Sequence, residues 1–228
     1  MVIYVGKMVL IGGGSFILRE TKMFDDLIIK MSKEKPRVLF LPTASKDSVN
    51  KYLDFKEIYE REYDAIVEAL FLTKEKKDNL KQYVSSFDVI YIGGGNTSYM
   101  LDIFYKTGMD KALKEAFDNG ILLAGISAGA ICFFNEAYTD SFTYSYNFHT
   151  YNYKMIKGLS FLPFSCCPHY DIDDHETFND DTTNGIALEN NTAFVLNGSK
   201  WRIVRDDSHH AYFVKDIVTV IEDKEYDL

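Results

Sequence analysis

Gly125-Ile126-Ser127-Ala128-Gly129 is the stretch of this chain whose residue types and spacing point most directly to chemistry. It follows the apolar run Ile121 to Ala124 and leads into a second apolar segment, Ala130 to Phe134. A serine between glycines, at the end of a buried strand and the start of a helix, writes a sharp strand-to-helix turn that presents the hydroxyl outward. The flanking glycines admit the tight backbone, and the Ala128 amide points where an oxyanion would form. A plain buried turn of small residues is written the same way, so the partners of Ser127 decide between the two readings.

A serine hydroxyl is a weak nucleophile until a histidine takes its proton and a carboxylate holds that histidine in the correct tautomer. Five histidines are available. His169 closes an apolar, strand-like run and follows Pro168, which places its ring at a loop edge on a fixed backbone. His209 and His210 lie near the C-terminus after many acids, in the Ser, acid, His order of α/β-hydrolases. His149 falls in a tyrosine-rich stretch and His175 among acids. Spacing alone leaves His169 and the pair His209 and His210 open. From His169 to His175 there is no regular ligand spacing, and acyl transfer needs neither metal nor cofactor, so neither is expected.

The elements that must position these residues alternate. Strands are expected at Met8 to Ile11, Arg37 to Leu41, Asp64 to Leu72, Asp88 to Ile92 and before Gly125. Helices are expected at Phe24 to Met31, Val49 to Tyr63, Lys74 to Ser86, Ser98 to Tyr105 and Met109 to Asn119. Nearly continuous apolar strands alternating with helices predict a parallel sheet covered on both faces. In such sheets the ligand site lies beyond the carboxyl ends of the strands. The turns at Gly12, at Pro42 to Ser45, at Gly93 to Asn96 and at Ser127 each follow a strand, so all four are expected on one edge. Past Phe134, Tyr138 to Tyr153 reads as an irregular loop or lid. The segments Thr192 to Leu196, Trp201 to Arg205 and Ala211 to Val214 read as antiparallel hairpins.

A chain of 228 residues, 46% hydrophobic, can bury one sizeable core, and residues 1–228 are read as one domain. The net charge of −9 disfavours nucleic acid and anionic membranes, which need a basic face, and leaves small molecules or peptides as partners. Cys132, Cys166 and Cys167 form no even framework and are read as reduced, apolar filler. Without a leader-like start or a membrane-length apolar run, a cytoplasmic location is expected. Monomer and homodimer both remain open.

Gly93-Gly94-Gly95-Asn96-Thr97 after a strand, Gly125 to Ala130 about thirty residues on, and Pro168-His169-Tyr170 beyond it resemble the peptidase E family. These are aspartyl dipeptidases and cyanophycinase-like serine peptidases. The resemblance runs from Lys7 to about Asp207 and includes the Gly12 and Pro42 turns. It implies an α/β three-layer sandwich with a mainly parallel sheet, similar to class I glutamine amidotransferases, here with C-terminal antiparallel hairpins. It further implies a dipeptide or isopeptide as substrate, Ser127 as nucleophile and His169 as base. The third member is then an acid downstream, best matched by Glu189, with Asp171 and Asp140 as rivals. Amides of Gly94, Gly95 and Ala128 would hold the oxyanion, and Asn96 would orient the substrate or cap the following helix. Rival readings are an esterase using His209 or His210 and a non-catalytic binding protein.

Substrate selection is where the sequence departs from that family. An aspartate side chain needs a cation, best a bidentate arginine, and in the family one follows the histidine. Here Glu176, Thr177 and Phe178 stand nearest that position, and no Lys or Arg occurs between His169 and Ser199. Strict selectivity for an N-terminal aspartate is therefore not expected. The acidic segment Asp171 to Asp181 is expected instead to face a substrate amine or basic side chain.

Overall fold

The computed structural model describes residues 6–143, 152–170 and 176–228. Its first half alternates as expected: β1 (Lys7–Ile11), α1 (Lys22–Met31), β2 (Arg37–Leu41), α2 (Val49–Tyr63), β3 (Ile66–Ala69), α3 (Leu80–Val84), β4 (Val89–Ile92), α4 (Thr97–Thr107), α5 (Met109–Asp118) and β5 (Leu122–Ile126). The rest is mostly strand: α6 (Ala128–Ile131), β6 (Phe134–Thr139), β7 (Lys154–Lys157), β8 (Leu162–Cys167), α7 (Glu176–Asp181), β9 (Gly185–Leu188), β10 (Thr192–Asn197), β11 (Lys200–Arg205), β12 (Ala211–Val214), β13 (Val218–Val220) and β14 (Tyr226–Asp227).

Eight strands form the main sheet in the order β14-β11-β10-β1-β5-β4-β2-β3, parallel from β1 to β3. Alternation along each central strand feeds two cores. On one face Val9, Ile11, Val38, Phe40, Val89 and Tyr91 pack under α1 and α2. On the other, Met8, Leu10, Leu39, Ile90 and Ile92 pack against α4 and α5. Burial on both faces is why these strands read as continuous apolar runs. The architecture is α/β, with a mainly parallel sheet and added antiparallel strands.

A second sheet of six strands, β13-β12-β9-β8-β6-β7, packs on the same face as α4 and α5. Composition gave no signal for it, because its strands are short and scattered. The C-terminal segments expected as one set of hairpins divide between the sheets. β10 and β11 extend the main sheet beside β1, while β12 pairs with β9 in the second.

Two local expectations change. The helix expected from Lys74 to Ser86 is reduced to α3, since Lys74 to Asp78 offers no apolar residue to bury and propensity alone does not hold a helix. Tyr138, expected in a loop, is buried in β6, where its ring stacks on Tyr153 and packs near Phe178. His149, within that expected lid, and Asp171, Asp173, Asp174 and His175 lie outside the described residues. Cys132, Cys166 and Cys167 are unpaired and buried, and burial pushes all three thiols well up. Among the described residues no helix is long and apolar enough to cross a membrane.

Candidate active site

Ser127 occupies the single residue between β5 and α6 and holds φ 52°, ψ −119°. Both of its backbone groups fix it there. Its N–H donates to Ile11 O at 2.9 Å, and its carbonyl accepts from Ala130 N at 2.8 Å and Ile131 N at 2.9 Å. A Cβ at Gly129 would overlap the carbonyl of Ile92, so the end of β4 presses directly on the start of α6. Only a glycine permits that approach.

The histidine arrives from the other sheet. β8 ends at Cys167, and two residues later His169 turns with φ 53°, pinned by Tyr170 N donating to Leu188 O at 3.0 Å. His169 Nε2 lies 2.9 Å from Ser127 Oγ. Its Nδ1 lies 2.7 Å from the side-chain oxygen of Asn190. Because Asn190 Oδ1 only accepts, Nδ1 carries the proton and donates, which leaves Nε2 as acceptor for the Ser127 hydroxyl.

The residue bonded to His169 Nδ1 lies one position past Glu189, the expected acid. Glu189 turns the other way. Its carboxylate accepts from His210 N at 2.6 Å and from the Tyr212 hydroxyl at 2.7 Å, and burial together with this contact pushes the Tyr212 hydroxyl up to about 12. Successive residues leaving a strand point to opposite sides, so a one-residue offset decides which of Glu189 and Asn190 meets His169. Asp140 is exposed. His209 Nδ1 is bonded to Asp206 Oδ1 at 2.7 Å, and neither His209 nor His210 bonds Ser127 among the described residues.

Asn190 carried only a weak sequence signal, a polar residue just past an apolar run. Gly13 carried none. A Cβ at Gly13 would overlap both His169 Nδ1 and Asn190 Oδ1, so the turn after β1 forms the floor of this hydrogen bond. Backbone bonds from Gly12 N to Thr192 O, 2.9 Å, and from Asn191 N to Gly13 O, 3.1 Å, lock that floor to the segment carrying Asn190.

The Gly93 to Asn96 turn comes to Ser127 as the topology predicts. A side-chain carbon at Gly94 would sit 3.4 Å from Ser127 Cβ. Gly93 N and Asn96 N are spent on Leu41 O, 3.1 Å, and Ala44 O, 2.8 Å. Gly95, at φ 148°, lies between them. The Asn96 side chain is used within the chain at both ends: its oxygen caps α4 by accepting from Tyr99 N at 2.8 Å, and its nitrogen donates to Ser141 O at 3.0 Å. The capping alternative describes this geometry. Phe178, one of the residues standing where a substrate-binding arginine is expected, is buried against Tyr138.

A serine bonded to a histidine at the carboxyl edge of a parallel α/β sheet, with glycine turns alongside, is the arrangement of the serine hydrolases. Residues 8–204 match the model of peptidase family S51. The chain belongs to that family and is a serine-type peptidase. It is 41% identical over 167 residues to the uncharacterized peptidase YgaJ of Bacillus subtilis, covering 72% of this chain and 69% of that one. An uncharacterized peptidase of Listeria monocytogenes is 33% identical over 138 residues, covering 58% of this chain and 65% of the relative. The crystal structure of a peptidase from an acI-B1 Actinobacterium superposes with a TM-score of 0.71 at 20% identity, covering 99% and 98% of the two chains, and supports the fold.

Proposed function

We propose that the chain hydrolyses a peptide or isopeptide bond through an acyl-enzyme on Ser127. The observation that carries this reading is the 2.9 Å approach of His169 Nε2 to Ser127 Oγ on a strained strand-to-helix turn, a nucleophile elbow. His169 takes the hydroxyl proton as Ser127 Oγ attacks the carbonyl carbon. The oxyanion then lies between the amides of Ala128 and of the Gly94-Gly95 turn. Collapse breaks the C–N bond, and His169 passes the proton to the leaving amine. Water, deprotonated by the same histidine, releases the acid and restores the serine. Asn190 acts as a positioning residue, holding the proton on Nδ1 throughout. It supplies direction without charge, as the asparagine of Cys-His-Asn proteases does.

The test is covalent labelling. A side-chain-free fluorophosphonate is expected to modify Ser127 in the native chain and to leave Ser127→Ala unlabelled, with His169→Ala labelled at least about a hundredfold more slowly. Equal labelling of native and Ser127→Ala protein overturns the reading. A small peptide as partner and the absence of a nucleic-acid partner remain part of this proposal, supported by the net charge of −9, and a cytoplasmic setting belongs to it as well.

A further inference from the structure

Ser127 and His169 stand at the mouth of a pocket of about 320 Å³ that runs beneath the Gly93 to Gly95 turn. Its walls are aromatic. Phe40 stacks on Phe55 at 4.4 Å between centroids, Phe55 meets Tyr91 at 4.8 Å, and Phe16 covers Phe55 at 5.3 Å. Charge is confined to the rim, where Lys51 and Asp54 are both exposed and Lys51 Nζ donates to Gly94 O at 3.3 Å. No arginine lines the pocket among the described residues. A carboxylate or ammonium entering it would lose its water without gaining a buried partner. An aromatic ring would gain offset or edge contacts with the walls.

Tyr91 is 1% exposed, and its hydroxyl oxygen is itself buried. Burial drives this hydroxyl well above the ordinary tyrosine range, so it adds no charge to the walls. The position of the pocket fixes which side of the scissile bond it serves. With the carbonyl held between Ser127 and the Gly94 turn and the leaving nitrogen facing His169, the group beside the glycine turn belongs to the acyl half. Phe40 lies directly below that turn, 3.2 Å from where a Cβ on Gly93 would be.

We propose that this pocket receives the side chain on the acyl side of the cleaved bond and selects an aromatic residue over aspartate or lysine. This rests on the reading of Ser127 as an acyl-enzyme nucleophile, and it differs from the basic side chain expected from the acidic segment, of which Asp171, Asp173 and Asp174 lie outside the described residues.

The experiment measures phosphonylation of Ser127 by diphenyl aminoalkylphosphonates, in which Oγ bonds phosphorus and phenol leaves. The esters carry benzyl, p-hydroxybenzyl, carboxymethyl or aminobutyl side chains, beside the side-chain-free fluorophosphonate as reference. The aromatic esters are expected to react at least tenfold faster than the carboxymethyl and aminobutyl esters. Phe16→Ala is expected to slow both aromatic esters about tenfold. If the reference labels Ser127 but the carboxymethyl or aminobutyl ester matches or outruns the aromatic ones, the pocket assignment is overturned while the peptidase reading stands. If the reference fails to label Ser127, that reading falls and takes the assignment with it.

Discussion

Ser127 and His169 both sit at positive φ, 52° and 53°, a conformation that costs a non-glycine residue on the order of 1–3 kcal/mol. The surrounding bonds hold both in place, so the 2.9 Å contact is built into the backbone rather than found by side-chain motion. Asn190 is the residue whose role can be separated from its neighbour's. Asn190→Ala is expected to lower kcat about a hundredfold with KM little changed, because the imidazole loses its orientation while the pocket keeps its walls. Asn190→Asp is expected to hold kcat within about threefold of the native value, since a carboxylate also accepts from Nδ1–H. Glu189→Gln is expected to act on stability, by about 1–2 kcal/mol in urea titration, through His210 and Tyr212. A hundredfold loss of kcat in Glu189→Gln with Asn190→Ala unaffected would reverse the assignment.

At the scale of elements, the site is a meeting of strand ends from two sheets. β5 and β4 bring Ser127 and the Gly94 turn, β8 brings His169, and the passage from β9 to β10 brings Asn190 as the chain crosses between sheets. The turn after β1 is the keystone of that crossing. Gly13→Ala places a methyl group into the bond between His169 and Asn190. Labelling of Ser127 is expected to slow about a hundredfold in this variant while circular dichroism stays native. Native labelling kinetics would show that the turn moves aside without cost to the histidine. Helix boundaries were legible where an apolar face exists, as in α2, which matches its expected range of Val49 to Tyr63. They were not legible in α3, where a charged run has nothing to bury.

For the molecule as a whole, one ion pair with a buried carboxylate links folding to the pocket. Asp25 is fully buried in the first turn of α1, where its carboxylate accepts from Arg19 Nη1 at 2.8 Å and from the Tyr59 hydroxyl at 2.9 Å. Burial pushes its carboxyl up to about 6, with Arg19 and Tyr59 opposing the shift. A group that holds its proton more tightly when folded stabilises the fold below its unfolded pKa, near 4, and that contribution is lost as pH rises through about 6. The unfolding free energy of the native chain relative to Asp25→Asn is expected to fall by on the order of 2–3 kcal/mol between about pH 4 and pH 7. A difference flat with pH would place the carboxyl in its ordinary range. Arg19 also lies 5.6 Å over the ring of Phe16, so the same pair steadies the aromatic wall of the pocket.

The sequence by itself determined the parallel sheet, its edge of glycine turns and the serine between Gly125 and Gly129. Each is a local signal, a continuous apolar run or a glycine cluster, whereas the histidine after Pro168 was singled out from His209 and His210 only by the family resemblance. The tertiary structure decided the rest. The second sheet, the facing of Asn190 rather than Glu189 toward His169, and the aromatic walls drawn from Phe16, Phe40, Phe55 and Tyr91 all depend on which way a residue faces once distant strands have paired. A shift of one residue along a strand end exchanges one side for the other at almost no change in local pattern, so only the packed register distinguishes them.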